Sequence, residues 1–316
     1  MHEHQPSIAV VMPAYHVASL ITDVIARIPR EVRYIIVVDD ASPDNLQEVL
    51  HKIPDQRLIV LGHKANQGVG GAMKTGFRKA LELDADIVVK IDGDGQMDPQ
   101  LIPQFVRPIL TDQADLTKGN RFASLSGIRH MPLLRRLGNL ALSFLVKMAS
   151  GYWHVFDPCN GYLAIHKRLL HRLVFHRLGE RYFFEISLLC EAYFAQAVLQ
   201  DIPMLPVYGH ETSSLNPWRM IIDFTPRLIW RAMCRVFISY FVQDFNVISL
   251  FLVAGIPALS FGMGWSVYHW MQSFRLQIPA TTGTVMIGVL AIVLGFQLIL
   301  QALVLDVENE PGRHRR

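Results

Sequence analysis

The strongest constraint on this chain lies near its end. No Asp, Glu, Lys or Arg occurs from Phe245 to Phe274, nor from Leu276 to Leu305. Each stretch exceeds the roughly 20 residues that a helix needs to cross a hydrocarbon layer. Two of them back to back argue against a buried helix pair in a soluble core, and two transmembrane helices are expected within 245–306. The intervening loop carries Arg275, whereas Arg219, Arg227, Arg231 and Arg235 precede the first stretch and Arg313, Arg315 and Arg316 follow the second. That bias predicts both termini on the cytoplasmic side, with 307–316 as a cytoplasmic tail. Pro257 is expected to kink the first span, and Gly262, Gly264, Gly288 and Gly295 to let the helices approach closely.

The rest of the chain is long enough for a sizeable core: the sequence has 316 residues, 51% of them apolar, and a net charge of +3. So small a charge gives no reason to expect a nucleic-acid partner. Cys159, Cys190 and Cys234 are odd in number and far apart, which suggests neither a disulfide framework nor a zinc site. The opening "MHEHQPS" lacks the basic start and apolar stretch of a secretory signal, so the amino-terminal region is expected in the cytoplasm.

Before the apolar stretches, short β-branched runs alternate with helix-like segments. "SIAVVM", "YIIVVDD", "RLIVLG", "DIVVKID" and "ADLTKG" read as strands, and 19–28, 43–52, 69–83 and 100–111 as helices. Near-continuous Ile and Val runs indicate strands covered on both faces, and the alternation indicates an α/β, Rossmann-like and mostly parallel sheet. Ligands of such sheets bind beyond the carboxyl ends of the strands. There stand "PAY" after the first strand, Asp39 and Asp40 after the second, and "DGDGQMDP" after the fourth.

Familiar nucleotide and calcium motifs fail on this sequence. "GVGGAM" at 68–73 ends in Met73 and follows a loop, so it is no dinucleotide fingerprint, and "GAMKTGF" has Phe77 where a phosphate-loop lysine belongs. A calcium loop starting at Asp92 demands Gly at 97 and Glu at 103, and finds Met97 and Pro103. What survives is one Mg2+ or Mn2+ held at a strand end by few protein ligands and shared with substrate phosphates. Asp92 and Asp94, flanking Gly93, can face one pocket across a turn; Asp98 reads better as the cap of the helix starting near Pro99.

The ordered series "VVMPAY", "VVDDASPDN", "KANQGVGGAMKTGF" and "DGDGQ" resembles inverting family 2 glycosyltransferases of the GT-A fold. The branch it looks most like is that of the dolichyl- and polyprenyl-phosphate glycosyltransferases. "KGNR", "RRLGN", "DPCNGYLAI", "YFFEISLL" and "YGHETSSL" extend the resemblance over nearly the whole chain. The resemblance implies that Pro13, Ala14 and Tyr15 line the nucleotide pocket and that Asp40 lies near the base or ribose. It makes Asp92 and Asp94 the DXD pair, with Asp94 the chief metal ligand and Gln96 beside the diphosphate. It places Arg121, Arg135 and Asn139 on the acceptor phosphate. His16 and Val17 depart from the Asn and acidic residue usual after "PAY". The implied partners are a nucleotide-diphosphate sugar, a polyprenyl phosphate and membrane lipid; a homo-oligomer is left open.

The chemistry agrees with that assignment. A cation on the diphosphate stabilises charge as the glycosidic bond breaks. A lipid phosphate monoester is already anionic, its second pKa being about 6, and needs no general base. Guanidinium groups then matter more, because they pair with phosphate bidentately and stay charged; Arg129 and Arg136 are further candidates or solvated surface charges.

"MPLLRRLGNLALSFLVKMASG" reads as an in-plane amphipathic helix at about 132–149, with Leu133, Leu137, Leu140, Phe144 and Met148 on its apolar face. A juxtamembrane helix at 217–244 carries Arg227, Arg231 and Arg235 in a stripe that meets lipid headgroups, solvent or substrate, with Trp218 and Trp230 as interfacial anchors. The glycosyltransferase domain is accordingly expected at 1–216. His154, His166, His171 and His176 lack a zinc pattern. Asp157 and Glu185 can face the sugar, order the acceptor loop or serve as structural acceptors, and Glu211 and Ser213 lie in a candidate mobile loop. Two other readings stay open: transfer to a hydroxyl acceptor, disfavoured by the lack of a "QxxRW" segment, and a catalytically silent membrane scaffold.

Overall fold

A computed structural model describes residues 6–121, 133–181, 183–204 and 217–313; for 133–141 and 217–223 it describes the backbone only. The chain divides into two units, Met1–Ala232 with Pro311–Arg316, and Met233–Glu310. The division falls inside the helix Pro217–Phe237, and Pro311–Arg316 groups with the first unit.

The first unit is built on seven strands: β1 (Ile8–Ala14), β2 (Val32–Asp39), β3 (Leu58–Gly62), β4 (Ile87–Lys90), β5 (Leu116–Asn120), β6 (Leu163–His166) and β7 (Leu199–Pro203). Their order is β3-β2-β1-β4-β6-β5-β7. All neighbours are parallel except β6, which runs antiparallel to both β4 and β5. The five strands expected from sequence are present. β6 and β7 were not foreseen, because "LAIH" and "LQDIP" are too short and mixed to stand out from their flanks.

Both faces of the sheet are buried, as the Ile and Val runs require. Ala9, Val11, Ile36, Val38 and Val88 face one core. Ile8, Val10, Met12, Ile35, Val37, Ile87 and Val89 face the other. Each buried Val, Ile or Met among them contributes about 1.5–3 kcal/mol. The first core is covered by α3 (Val69–Glu82), α6 (Lys167–Arg172) and α7 (Phe184–Phe194). The second is covered by α1 (Ile21–Ala26), α2 (Leu46–His51) and α4 (Ile102–Leu110). Asp98 caps the 3-10 turn Pro99–Leu101 that leads into α4, accepting from Gln100 N at 3.2 Å.

The glycines that matched no nucleotide motif have a packing role. Glu180 O accepts from Gly70 N at 2.7 Å and from Gly71 N at 3.2 Å, so the loop at 179–181 sits on the start of α3. A Cβ on Gly70 would overlap the Gly179 carbonyl oxygen.

Helix α5 (Leu133–Ser150) occupies the expected amphipathic segment. In its described half, Val146 and Ala149 pack with Ile186 and Cys190 of α7 and with Phe224, Leu228 and Ala232 of α8 (Pro217–Phe237). Phe144 points outward, and so does Trp230 on α8. The arginine stripe of α8 is divided. Arg231 Nη1 donates to the buried Glu191 Oε1 at 3.2 Å and its Nη2 to Arg177 O at 2.8 Å. Arg235 is buried on Asp306, with 2.7 and 2.8 Å bonds to the two carboxylate oxygens. Neither arginine faces only lipid or solvent, which corrects the stripe as read from its spacing. Trp218 lies outside the described side chains.

In the second unit a π-helical segment, Ile238–Gln243, leads to α9 (Val247–Leu276) and α10 (Thr282–Glu308). Of the most apolar 18 residues in each helix, only 22% and 17% are buried. A helix pair inside a soluble core would show the reverse. Gly262, Gly288 and Gly295 meet the opposite helix as expected, and so does Gly255. Gly264 faces open space, contrary to expectation, because it stands on another side of α9. Tyr240 donates a hydrogen bond to Asp306 Oδ1, completing a buried Arg–Asp–Tyr cluster.

Two outcomes follow for stability. Gly70→Ala is expected to cost about 1–3 kcal/mol by overpacking, measured by denaturant unfolding. Asp306→Ala, which removes the carboxylate that the buried Arg235 guanidinium meets through both nitrogens, is expected to cost about 3–5 kcal/mol in detergent-solubilised protein. Replacing Arg235 and Asp306 together by Leu restores most of that loss.

Candidate active site

The strand order reverses between β1 and β4, so the connections leaving their carboxyl ends run in opposite directions, the place where ligands of such sheets bind. Pro13 and Ala14 end β1, and Tyr15 follows, half exposed. The β1 loop is tied to the β2 loop: Ser42 Oγ accepts from His16 N at 2.8 Å and donates to Asp44 Oδ1 at 2.5 Å. His16 takes φ 57°, the left-handed region an Asn tolerates better, and Val17 is buried against Gly93. Burial opposes the Asp44 charge, yet hydrogen bonds from Ser42 and Ala18 N hold its pKa below the usual aspartate value.

Asp40 is turned inward. Its carboxylate accepts from Gln67 N at 2.9 Å and Gly68 N at 2.7 Å, and lies 2.7 Å from His63 Nδ1. A carboxylate only accepts, so Nδ1 carries the proton and Nε2, 2.9 Å from Thr75 Oγ1, takes the hydroxyl hydrogen in the neutral ring. Asp40 thus clamps the turn that begins α3.

At the end of β4, Asp92, Gly93, Asp94 and Gln96 form a tight turn. Asp94 Oδ1 accepts from Gln96 N at 3.0 Å, and Gly95 takes φ 75°. Lys90 Nζ donates to Asp92 Oδ1 at 2.7 Å and stands 3.3 Å from Glu185 Oε1 on α7. Burial works against the Lys90 charge, but Asp92 and Glu185 outweigh it and raise its pKa above the usual lysine value. Asp98 stands apart from this turn, paired with Arg27 Nη2 at 2.5 Å.

Arg121 follows β5 and grips Asp157, through Nε at 2.7 Å and Nη2 at 3.0 Å. Its side chain is 43% exposed while that of Asp157 is buried, so the carboxylate fixes an outward-facing guanidinium. Asn160 Nδ2 also donates to Asp157, at 3.3 Å. Beneath lies Lys118, fully buried and donating to Asn160 O. Burial holds its pKa below the usual lysine value against the pull of Glu185 and Asp157. Asp201 of β7 accepts from Asn120 Nδ2 at 3.1 Å and from Phe156 N at 3.2 Å through Oδ2. Its Oδ1 is buried with no partner among the described residues.

The structure therefore gathers Asp92, Asp94 and Gln96 in one turn and sets Arg121 on the Asp157 loop. Arg135 and Asn139 lie on α5, and their side chains, like those of Arg136, Arg129, Glu211 and Ser213, fall outside the described ones. Among the described residues no three or more His, Cys, Asp or Glu side chains cluster as a metal cage. The donors at hand, two carboxylates and an amide at a strand end, fit a hard cation that completes its coordination on phosphate oxygens. Sequence reasoning missed Lys90, Lys118 and Asp201. A signal for the lysines existed: each is a charge at a strand position that must be buried.

Burial is the main influence on Asp201 and raises its pKa above the usual aspartate value. Ionising it therefore costs stability: the contribution is full at acid pH and is lost as pH climbs above about 3.9 and through the raised value. Asp201→Asn keeps an acceptor for Asn120 and Phe156 and cannot ionise. Its stability relative to the parent is expected to improve steadily from acid to neutral pH in denaturant titrations.

Comparisons with known proteins converge on this region. The family model described as Glycosyl transferase family 2 matches residues 9–174, more than half of the chain. The UDP-N-acetylglucosamine–dolichyl-phosphate N-acetylglucosaminyltransferase of Methanococcus voltae is 33% identical over 190 residues, covering 55% of this chain and 75% of that protein. The undecaprenyl-phosphate mannosyltransferase of Micrococcus luteus is 32% identical over 132 residues, 41% of this chain and 53% of that protein. Among solved structures, glucosyl-3-phosphoglycerate synthase from Mycobacterium tuberculosis, in complex with Mn2+, UDP-glucose and phosphoglyceric acid, superposes with a TM-score of 0.53. It shares 22% identity over 73% of this chain and 79% of that one, a likeness of fold. With the strand order, the β4 turn and these matches together, the chain belongs to glycosyl transferase family 2.

Proposed function

We propose that the protein transfers one sugar from a nucleotide-diphosphate sugar to a polyprenyl phosphate at the cytoplasmic face of a membrane. The observation that carries this reading is the conjunction of the Asp92–Gln96 turn with two bilayer-length helices whose outer faces are apolar and exposed. Support comes also from relatives whose names specify dolichyl phosphate and undecaprenyl phosphate as acceptors. The outward Phe144 and Trp230 suit amphipathic helices lying at headgroup level. Pro311–Arg316 belongs to the same unit as the sugar-transfer site, so a chain that crosses the bilayer twice ends on the side where it began. That supports both termini being cytoplasmic.

In this reading an acceptor phosphate oxygen attacks the anomeric carbon from the face opposite the diphosphate. The bond to the diphosphate oxygen breaks, and the nucleoside diphosphate leaves with the electron pair. No proton has to be removed, because the phosphate monoester is anionic near neutral pH. Bound Mg2+ or Mn2+ supplies charge stabilisation on the departing diphosphate. Asp94 would be its chief ligand, with Asp92 as a second carboxylate and Gln96 beside them. Pro13, Ala14 and Tyr15 flank the nucleotide, and Asp40 serves it indirectly by holding the 66–68 turn. Arg121, kept in place by Asp157, pairs with the acceptor phosphate together with Arg135 and Asn139 on α5.

The test uses full-length protein, polyprenyl phosphate, Mg2+ or Mn2+ and a panel of labelled nucleotide sugars. The expected product is anionic, labelled and chloroform-soluble, and Asp94→Ala lowers its formation by at least about 100-fold. Label that reaches only hydroxyl acceptors overturns the proposed acceptor. An Asp94→Ala variant as active as the parent overturns the cation assignment.

A further inference from the structure

Lys90 closes β4 just before the Asp92–Gly93–Asp94 turn. Strand alternation sends it to the face of Val88, which α3 and α7 cover, and there Glu185, in the first turn of α7, meets it. The ammonium is fully buried, 2.7 Å from Asp92 Oδ1 and 3.3 Å from Glu185 Oε1. The backbone at Gly161 roofs it: a Cβ there would stand 2.5 Å from Lys90 Nζ and 2.8 Å from Asp92 Oδ2. Lys90 therefore has no route to a substrate. A buried ammonium is costly to desolvate, and an apolar side chain would close the strand without that cost. What this position uses is the charge, and the group it acts on is Asp92.

We propose that Lys90 is a positioning residue that sets the divalent-cation affinity of the site. By engaging one oxygen of Asp92 it leaves the Asp92–Asp94 pair with less than its full negative charge. A cation then binds firmly only when a diphosphate supplies further oxygens and charge, so cation and sugar donor enter together. The tie to Glu185 keeps Asp92 in one orientation while the site is empty. This inference rests on the assignment of residues 92–96 to a divalent cation.

The test is Mn2+ binding to the full-length protein in detergent, followed by the electron paramagnetic resonance signal of the free ion. It is run without nucleotide and with uridine diphosphate or guanosine diphosphate in parallel. The parent is expected to bind Mn2+ weakly alone and tightly with a diphosphate, and Asp94→Ala to bind in neither case. Lys90→Met, which removes a positive charge a few ångströms away, is expected to tighten nucleotide-free binding at least about tenfold. It is also expected to shrink the enhancement that the diphosphate brings. Nucleotide-free binding that is unchanged or weaker in folded Lys90→Met overturns the inference. If that variant does not fold, Lys90→Gln, which removes the charge but keeps a polar group facing Asp92 and Glu185, is judged by the same shift. Failure of both to fold also counts against the inference, since the charge then serves folding alone. A parent that binds no Mn2+ even with a diphosphate refutes the cation assignment itself, an outcome separate from the comparison of Lys90 variants.

Discussion

The parallel pairing of β1 with β4, Ile8–Val11 against Ile87–Lys90, is the contact on which the rest of the first unit depends. It joins two strands that are distant in sequence and buried on both faces. At that seam the chain turns outward in opposite directions, from β1 to β2 on one side and from β4 to β5 on the other, β6 later filling the place between β4 and β5. The two strand ends at the seam carry Pro13–Tyr15 and Asp92–Gln96. Neither end makes a site alone; the register of this one pair sets them side by side.

Charges buried beneath those loops make the arrangement specific. Lys90 and Lys118 lie under the β4 and β5 ends, and Glu185 and Asp157 are the carboxylates beside them. Buried charges of this kind are poor sources of net stability and good sources of orientation, because each leaves its partner few alternative positions. Helix α7 carries two of the contacts: Glu185 in its first turn meets Lys90, and Glu191 in its last turn meets Arg231 of α8. Between them Ile186 and Cys190 pack on α5 and α8. One short helix thus touches both Lys90 at the end of β4 and the helices α5 and α8.

Much of this was legible in the sequence. The five strands from "SIAVVM" to "ADLTKG" were readable because residues buried on both faces form unbroken apolar runs. The two long apolar helices were readable because no Asp, Glu, Lys or Arg interrupts either stretch over a bilayer's length. The turn at 92–96 was conspicuous because glycines and carboxylates interrupt such a run abruptly. The arginine stripe of α8 misled for an equally physical reason. Spacing of four places Arg227, Arg231 and Arg235 along one side, but Arg231 meets Glu191 and Arg235 meets Asp306, 40 and 71 residues away in the chain.

By itself, then, the sequence determined local periodicity, the length of the apolar spans and the chemical kinds of residue at the strand ends. These properties depend on near neighbours in the chain and on the solvent each segment can tolerate. Only the tertiary structure decided that β6 enters antiparallel between β4 and β5, that Asp40 faces inward on His63 and Gly68, and that Asp157 orients Arg121. It also decided that Lys90 is spent on Asp92 and Glu185. A charge pairs with whatever the fold brings within hydrogen-bond reach in a dry interior, and no local pattern of residues encodes which partner that will be.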